Sequence, residues 1–422
     1  MPFTTRVLPK WFDDAKLGIF IHWGIYSVPA FAPITWELGE VPIDEEWFCN
    51  NPYAEWYANS IALKKGPTWE HHKKIWGEDF KYEDFIPLWK AEHYEPSKWV
   101  ELFKKAGAKY VVLVTKHHDG FSLFPSKYSD FTSTNLGPKQ DIVGKLKEAL
   151  KNSDIELGLY YSSLIDWHFL NTPIRTKADT YLHVPTSEQY AQYVINQLEE
   201  LISNYEPKLL WNDIGFPKLA EHKLNELFEF YYKMVPQGVV NDRWNGVYSD
   251  FRTKEYRHKE SLECSKFELC RGLGKSFGYN ACEKDEHYIK PDDLIELFVK
   301  TVAKGGNLLL NIGPMANGLI PKEQEQRLLA LGEFLEVNKE GIYGTNAGPA
   351  SYEKDELRYY FTQKENTLYA FVAGISKSPS LVVLPHDMQP VNETCIKTDL
   401  GFLIENPSSN IVLFKTKEKE KV

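Results

Sequence analysis

The stretch KYVVLVTKHHDG, residues 109–120, joins a continuous apolar run to a cluster of charged and titratable side chains. A run this apolar is typical of a strand buried on both faces, as the strands of parallel sheets are. The alternation of such runs with amphipathic helical patterns predicts an α/β fold, a (β/α)8-like TIM-type barrel over residues 1–345. The other apolar runs are LGIFIHW (17–23), ELGLYYS (156–162), LLWND (209–213), GVVNDR (238–243) and NLLLNIG (307–313).

Beyond residue 345 the helical pattern is absent and the apolar runs become short. Turn residues separate them, as at 364–366 (KEN). This change of period predicts a small antiparallel β-sandwich over residues 346–422. Its candidate strands are LRYYFTQ (357–363), TLYAFVA (367–373), SLVVLP (380–385) and NIVLFK (410–415).

Composition excludes several classes of function. The net charge of −10 leaves no surplus positive field for a nucleic-acid backbone or an anionic membrane, so we expect neither partner. The N-terminus lacks the apolar segment of a signal peptide, and the five scattered cysteines show no metal-ligand spacing. We therefore expect a cytoplasmic protein with free thiols, without metal or cofactor. The 14% aromatic content fits stacking on sugar rings and a large aromatic core equally well.

Polar side chains follow most of the predicted strands. In a parallel barrel the catalytic groups lie at the carboxyl ends of the strands, so these positions are candidates for a site. They are His22, the run Lys116 to Asp119 with His117 and His118, Tyr160, Asp213, Arg243 and, in a weaker strand, Glu268.

Two carboxylates without a metal cage suggest hydrolysis of an acetal, which needs a pair of carboxyl groups flanking the bond. Asp213 is the candidate nucleophile, and Arg243 could keep it ionised. Helix capping by Asp213 is the alternative, although Gly215 and Pro217 delay any following helix. Glu268 is the candidate general acid.

Two alternatives to the assignment of Glu268 stay open. It could be a surface glutamate paired with Arg271, in which case Glu263 is the second candidate for the acid.

The adjacent histidines His117 and His118 would face opposite sides of a strand, so a metal ion bound by both is disfavoured. We expect them to donate hydrogen bonds to sugar hydroxyls, with one of the two satisfied in the core as the alternative.

The glycine-containing stretches GLGKSFG (272–278) and KGGNLLLNIGP (304–314) do not match a phosphate-binding loop. Turns that carry loops over the barrel mouth are the better interpretation.

Together these segments resemble the retaining α-L-fucosidase family of glycoside hydrolases, family 29. The segments GIFIHWG (18–24) and KHHDGF (116–121) are the most specific, and the other matches follow in the family's order up to about residue 345. The segments WNDIGFP (211–217) and FELCRG (267–272) are more similar to the broad-specificity subgroup, which cleaves simple aryl fucosides. The C-terminal part matches the family's β-sandwich by position and pattern.

The resemblance implies an exo-acting enzyme that removes terminal α-L-fucosyl residues from glycosides and oligosaccharides. It implies a covalent intermediate on Asp213, with Glu268 as general acid/base. The position of the acid/base varies within the family, whereas that of the nucleophile does not. An apolar patch should receive the fucose methyl group, and Phe31 or Phe277 are candidates for it. The residues implied to bind fucose or line the pocket are His22, Glu55, Trp56, His117, His118, Tyr160, Trp211 and Arg243.

Two other functions remain as alternatives. Another retaining barrel glycosidase, such as an α-galactosidase, would use a similar carboxylate pair. A non-catalytic fucose-binding protein would keep the pocket without turnover, although both candidate carboxylates are present. The resemblance also implies a homo-oligomer, in which loops of a neighbouring subunit could complete the site.

Overall fold

The computed structural model describes residues 6–256, 266–375, 380–384, 387–391, 395–405 and 409–416. Its first part is a curled parallel sheet in the order β5-β4-β3-β2-β1-β8-β7-β6. The predicted TIM-type barrel is confirmed, and the apolar runs of the sequence are its central strands. These strands are β1 (Leu17–Ile21), β2 (Tyr110–Lys116), β3 (Glu156–Ser162), β4 (Leu209–Asp213), β5 (Val239–Val240), β6 (Arg252–Glu255), β7 (Phe267–Gly272) and β8 (Asn307–Ile312).

The ladder of paired strands is open between β5 and β6, and other hydrogen bonds bridge this gap. The Asp250 backbone N–H donates to the Val240 carbonyl at 2.9 Å, and the Asp250 carboxylate accepts from the Val240 N–H at 2.8 Å. The Thr253 N–H donates to the Asp242 carboxylate at 3.0 Å. The polar strand β6, which the apolar pattern does not predict, therefore completes the barrel wall.

Most of the helices cover the outside of the barrel and bury an apolar face against it, as amphipathic helices do. The short helix 179–182 has no buried residue and borders the cavity described below. Helix α1 has a different place, because Phe12 is fully buried and packs on Tyr110 and Phe251 at ring distances of 5.6 and 4.6 Å. It thus closes the N-terminal end of the barrel. The helices are α1 (Lys10–Ala15), α2 (Glu45–Cys49), α3 (Tyr57–Ala62), α4 (Gly66–Ile75), α5 (Pro96–Lys105), α6 (Ile142–Leu150), α7 (Asp179–Leu182), α8 (Glu188–Tyr205), α9 (Leu224–Met234), α10 (Pro291–Ala303) and α11 (Lys322–Asn338).

The C-terminal part consists of two antiparallel sheets that enclose their own apolar core, which confirms the predicted β-sandwich. The central pair, β11 and β12, is joined by a tight turn, so that Lys364 lies opposite Thr367. The side chain of Arg358 ties this part to the barrel through Glu296 of α10. The strands are β9 (Asn346–Ala347), β10 (Tyr352–Lys354), β11 (Leu357–Lys364), β12 (Thr367–Ala373), β13 (Ser380–Val382), β14 (Met388–Pro390), β15 (Ile396–Lys397), β16 (Phe402–Ile404) and β17 (Ile411–Thr416).

None of the helices in the described ranges has the length and hydrophobicity that a membrane span requires.

Candidate active site

A cavity of about 580 Å³ opens at the carboxyl ends of the barrel strands. The predicted nucleophile and all eight residues predicted to bind fucose or line the pocket are in its wall, whereas Glu268, Lys116, Asp119 and Phe31 are not. Loops that are far apart in sequence supply the rest of its wall, so the fold brings the predicted set together. The predicted residues in this wall are His22, Glu55, Trp56, His117, His118, Tyr160, Trp211, Asp213 and Arg243.

Asp213 is the last residue of β4, and its carboxylate is held by hydrogen-bond donors and by the positive charge of Arg243. Arg243 and the Ile214 N–H, the latter at 2.8 Å, donate to Oδ1. The Tyr160 hydroxyl donates to Oδ2 at 2.7 Å. No helix begins here, since Pro217 precedes the next helical turn, so the capping interpretation of Asp213 is wrong.

The surroundings of Asp213 keep it ionised. Burial alone would raise the pKa of its carboxyl. The charge of Arg243 and the Tyr160 hydrogen bond act against burial, and the pKa of the carboxyl lies below its ordinary value. A rigid, ionised carboxylate at the end of a strand is suited to attack an electrophilic carbon.

The backbone after Asp213 is strained. Ile214 has φ +62°, a left-handed conformation that is a true outlier for a β-branched residue. Strain of this kind is concentrated at functional sites, where the surrounding structure maintains it.

Glu268 lies outside the cavity, beneath its floor. It is the second residue of β7, which continues to Gly272, so the expectation that Glu268 is near a strand end is wrong. Its carboxyl is fully buried and accepts hydrogen bonds from the Tyr110 hydroxyl at 2.5 Å and from the Trp211 indole N–H at 3.0 Å. Tyr110 belongs to the cluster closed off by α1, so Glu268 faces the N-terminal half of the barrel interior, below Trp211.

The alternative that Glu268 is a surface residue paired with Arg271 is also wrong, because Arg271 instead contacts the Glu37 carboxylate at 3.0 Å. Glu263, the second candidate for the acid, lies outside the described residues.

Glu255 is a pocket carboxylate that sequence reasoning missed. It is the last residue of β6, and its Oε2 lies 3.3 Å from Arg243 Nη2, while Nη1 of the same guanidinium contacts Asp213. Two carboxylates that share one guanidinium are neighbours across the cavity. The rule that catalytic groups end barrel strands would have found Glu255 if RTKE (252–255) had been identified as a strand.

The partners of two histidines fix their tautomers. Asn311 donates its amide N–H to the Phe277 carbonyl at 2.6 Å, so its oxygen must accept from His22 Nδ1, also at 2.6 Å. The Ser162 hydroxyl donates to the Ile165 carbonyl at 2.8 Å, so it accepts from His118 Nδ1 at 2.6 Å.

Burial lowers the pKa of both His22 and His118 to about 4, so both rings are neutral near pH 7. A neutral ring that is protonated at Nδ1 has a lone pair at Nε2. His22 and His118 therefore offer acceptors to sugar hydroxyls, and the expectation that His118 donates is wrong. His117 Nδ1 is buried without a hydrogen-bond partner in the described part of the chain. The alternative that His117 is a core histidine with both ring nitrogens hydrogen-bonded is therefore wrong. A substrate hydroxyl can satisfy His117 Nδ1.

A β-bulge sets the direction of these histidines. The pairing register of β2 with β3 shifts between Val114 and Lys116, which turns Lys116 away from the cavity. Its ammonium group contacts the Asp166 carboxylate at 2.6 Å, and both side chains are fully buried. The Trp167 N–H, next along the chain, donates to the His118 carbonyl at 2.7 Å. The buried pair thus joins the two loops that hold His117 and His118.

The stretch 272–278 forms a turn in which carboxylates of the protein already accept three of the backbone N–H groups. The Glu283 carboxylate accepts from the N–H groups of Lys275 and Ser276, and Glu55 accepts from the Gly278 N–H at 2.7 Å. Internal carboxylates thus fill the place a phosphate would need. Burial raises the pKa of Glu55 to about 7, against the hydrogen bonds that it accepts.

Comparison with known proteins agrees with this geometry. The sequence model "Alpha-L-fucosidase" matches residues 2–340. An α-L-fucosidase of Dictyostelium discoideum is 35% identical over 393 residues, covering 90% of this chain and 81% of that protein. The chain belongs to the α-L-fucosidase family.

Solved structures extend the likeness to the whole fold. A structure described as an α-L-fucosidase superposes with a TM-score of 0.92 at 42% identity, covering 99% of this chain and 98% of the other. A Thermotoga maritima α-L-fucosynthase gives a TM-score of 0.90 at 42% identity, covering 98% of each chain. This enzyme is accordingly a glycoside hydrolase that acts on α-L-fucosides, and the α-galactosidase and non-catalytic alternatives are wrong.

The two phenylalanines considered for the fucose methyl group differ in position. Phe277 lines the cavity and lies 5.0 Å from the His22 ring. Phe31 instead stacks on His71 at 3.7 Å, away from the residues of the cavity wall. Of the two, Phe277 is placed to contact a methyl group in this fucosidase.

Proposed function

We propose that this enzyme hydrolyses terminal α-L-fucosides with retention of configuration, with Asp213 as nucleophile and Glu255 as general acid/base. The observation that carries the proposal is the guanidinium of Arg243, which contacts both carboxylates across the cavity. Retention requires two carboxyl groups about 5–5.5 Å apart, and sharing one guanidinium favours such a short separation.

In the first step Asp213 attacks the anomeric carbon, and the bond to the leaving oxygen breaks as Glu255 gives that oxygen its proton. In the second step Glu255 takes a proton from water, and the water oxygen displaces Asp213. Tyr160, the Ile214 N–H and Arg243 hold the carboxylate of Asp213 in place before the attack. Prior orientation of this kind lowers the barrier because less ordering remains for the transition state.

Fucose recognition is assigned to the buried inner end of the cavity. His22 and His118 offer lone pairs at Nε2, and His117 Nδ1 has no hydrogen-bond partner among the described residues. Trp56 and Phe277 supply apolar surface beside them, to which we assign the methyl group. This wall thus combines hydrogen-bonding atoms with apolar surface. The combination suits fucose, which as a glycoside has three hydroxyl groups and a methyl group.

The solved Thermotoga maritima α-L-fucosynthase supports a nucleophilic aspartate. It carries an Asp-to-Gly replacement and is in complex with an α-fucosyl-(1–2)-β-fucosyl azide. A retaining hydrolase that loses its nucleophile can still transfer from a glycosyl azide of inverted configuration. We assign the corresponding nucleophilic role in this chain to Asp213.

Within the described ranges, two other carboxylates line the cavity and compete with Glu255 for the acid/base role. Glu55 is nearly fully buried, and its Oε2 is held by the Gly278 N–H and the Ser276 hydroxyl. Asp242 accepts both the N–H and the hydroxyl of Thr253 through Oδ1. Neither contacts Arg243 in the way that Glu255 does, so Glu255 is our assignment.

The experiment compares Glu255→Ala with Glu268→Gln. Glu255→Ala should slow substrates with poor leaving groups by roughly 10²–10⁴-fold, with little effect on formation of the intermediate from dinitrophenyl fucoside. Azide should restore turnover of Glu255→Ala and give the α-fucosyl azide. Glu268→Gln should retain most of its activity on both substrates. Equal losses on both substrates for Glu255→Ala would move the role to another carboxylate, with Glu55→Gln examined next.

A further inference from the structure

We propose that the outer half of the cavity is a subsite for an aglycone with a flat apolar face, and that Tyr181 is its stacking surface. This inference rests on the proposed function and extends it to the leaving group. Two kinds of aglycone have such a face: an aryl group and a second pyranose ring.

Asp213 fixes the direction of the aglycone. It belongs to the inner end of the cavity, where the surrounding side chains are almost fully buried. Attack on the anomeric carbon from Asp213 requires the leaving oxygen to point away from it, towards the open end. Any group attached to fucose must therefore pass the residues at the mouth.

The cavity is larger than fucose needs. A deoxyhexose has roughly eleven non-hydrogen atoms and takes at most about 330 Å³ at the ~30 Å³ of one liquid water molecule per atom. The cavity holds about 580 Å³. The remaining volume suits one further ring.

The mouth differs in chemistry from the inner end. Its residues are partly or fully exposed, and apolar side chains stand among polar ones. Besides Asp242, Arg243 and Glu255 they are Leu38, Ile43, Lys177, Thr180, Tyr181, Ile214, Asn245 and Gly246. Tyr181 is 59% exposed, and no ring in the described ranges stacks on it. An exposed aromatic ring that borders a substrate cavity is a typical stacking surface.

The segment that carries Tyr181 is firmly held, as a binding surface requires. Asn59 makes two hydrogen bonds with the buried Ile174, at 2.8 and 3.0 Å. Asp179 accepts the N–H groups of Arg175 and Thr176, each at 2.9 Å. The ring of Tyr181 is therefore exposed on an ordered turn, and Asn59 connects that turn to the helix that follows Glu55.

The test compares Tyr181→Ala, Tyr181→Trp and a control, Tyr128→Ala, in which an aromatic ring of similar exposure (49%) lies outside the residues of the cavity wall. The substrates are nitrophenyl α-L-fucoside, a disaccharide with α-L-fucose on a pyranose, and α-L-fucosyl fluoride, which has no aglycone ring. Inhibition by free fucose reports on the inner end.

For Tyr181→Ala we expect kcat/KM to fall roughly three- to ten-fold for substrates with a ring as aglycone. The fluoride and the inhibition by fucose should be unchanged, and Tyr181→Trp should restore the loss. A loss confined to the nitrophenyl substrate identifies an aryl site, and one confined to the disaccharide identifies a sugar site. An equal loss on the fluoride, or no loss on any substrate, would overturn the inference. Absence of fluoride hydrolysis in the unmodified enzyme would contradict the proposed function instead.

Discussion

Replacing Glu268 by Gln should leave catalysis largely intact and change the pH dependence of stability. Burial raises the pKa of Glu268 to about 7 in the folded protein, against the hydrogen bonds from Tyr110 and Trp211, and the ordinary value is 4.5. Between these values the folded protein keeps a proton that the unfolded chain has lost. Glu268 therefore stabilises the fold fully below pH 4.5, and this contribution is lost as pH rises towards 7.

The size of the effect follows from the shift. One pKa unit corresponds to 1.36 kcal/mol, so the contribution of Glu268 changes by about 3 kcal/mol across this range. Glutamine cannot ionise, and it can accept from Trp211 while donating to Tyr110. The free energy of unfolding of Glu268→Gln minus that of the unmodified enzyme should therefore rise by about 3 kcal/mol from pH 4.5 to pH 7.5.

Urea unfolding of both proteins at half-unit steps of pH measures this difference directly. Subtracting the two curves removes the contributions of other buried carboxyls, such as Glu55 and Glu283, whose pKa values burial also raises to about 7. A difference that stays constant within about 0.5 kcal/mol would refute the buried position of Glu268. Loss of turnover on poor leaving groups alone would restore it as the acid/base.

Three further predictions follow from other contacts. Lys116→Met should lower the free energy of unfolding by about 3–5 kcal/mol, because it leaves Asp166 buried without its partner. The double variant Lys116→Met/Asp166→Asn should lose less than the sum of the two single losses. Additive losses in urea unfolding would contradict this. Gly332→Ala should lower the free energy of unfolding by roughly 1–3 kcal/mol, because its Cβ would meet the Lys105 carbonyl and force α11 away from α5. Thermal unfolding measures this loss, and an unchanged midpoint would disprove the close approach. Arg243→Met should raise the pKa of Asp213, because the positive charge that opposes the effect of burial is removed. The acid limb of the pH profile of kcat/KM should therefore move to higher pH, and kcat/KM itself should fall by roughly 10²-fold or more. An unmoved acid limb would argue against the ion pair.

The central strands of the barrel could be predicted because burial on both faces makes them continuously apolar. The run ELGLYYS coincides with β3, and LLWND coincides with β4. The strand β6 could not be predicted in this way, because it lies at the edge of the sheet and its residues are partly exposed. Without this strand the sequence does not place Glu255 at a strand end, so the general-acid role is assigned instead to Glu268 in the weaker strand.

The residues of the fucose pocket could be named from the sequence, but not the direction of their hydrogen bonds. The tautomer of His22 depends on Asn311, which is 289 residues away in the sequence, and that of His118 depends on Ser162. The turn of Lys116 out of the cavity depends on an irregularity in strand pairing, for which KYVVLVTKHHDG has no marker. Such features are set by packing between distant segments.

The most direct test of the account is the configuration of the product formed when azide rescues Asp213→Gly. The variant should not hydrolyse nitrophenyl α-L-fucoside alone, and added azide should restore release of nitrophenol. Azide would enter from the side that Asp213 occupied, so nuclear magnetic resonance should show β-fucosyl azide. An α-fucosyl azide, or hydrolysis that persists without azide, would contradict the assignment of Asp213 as the nucleophile.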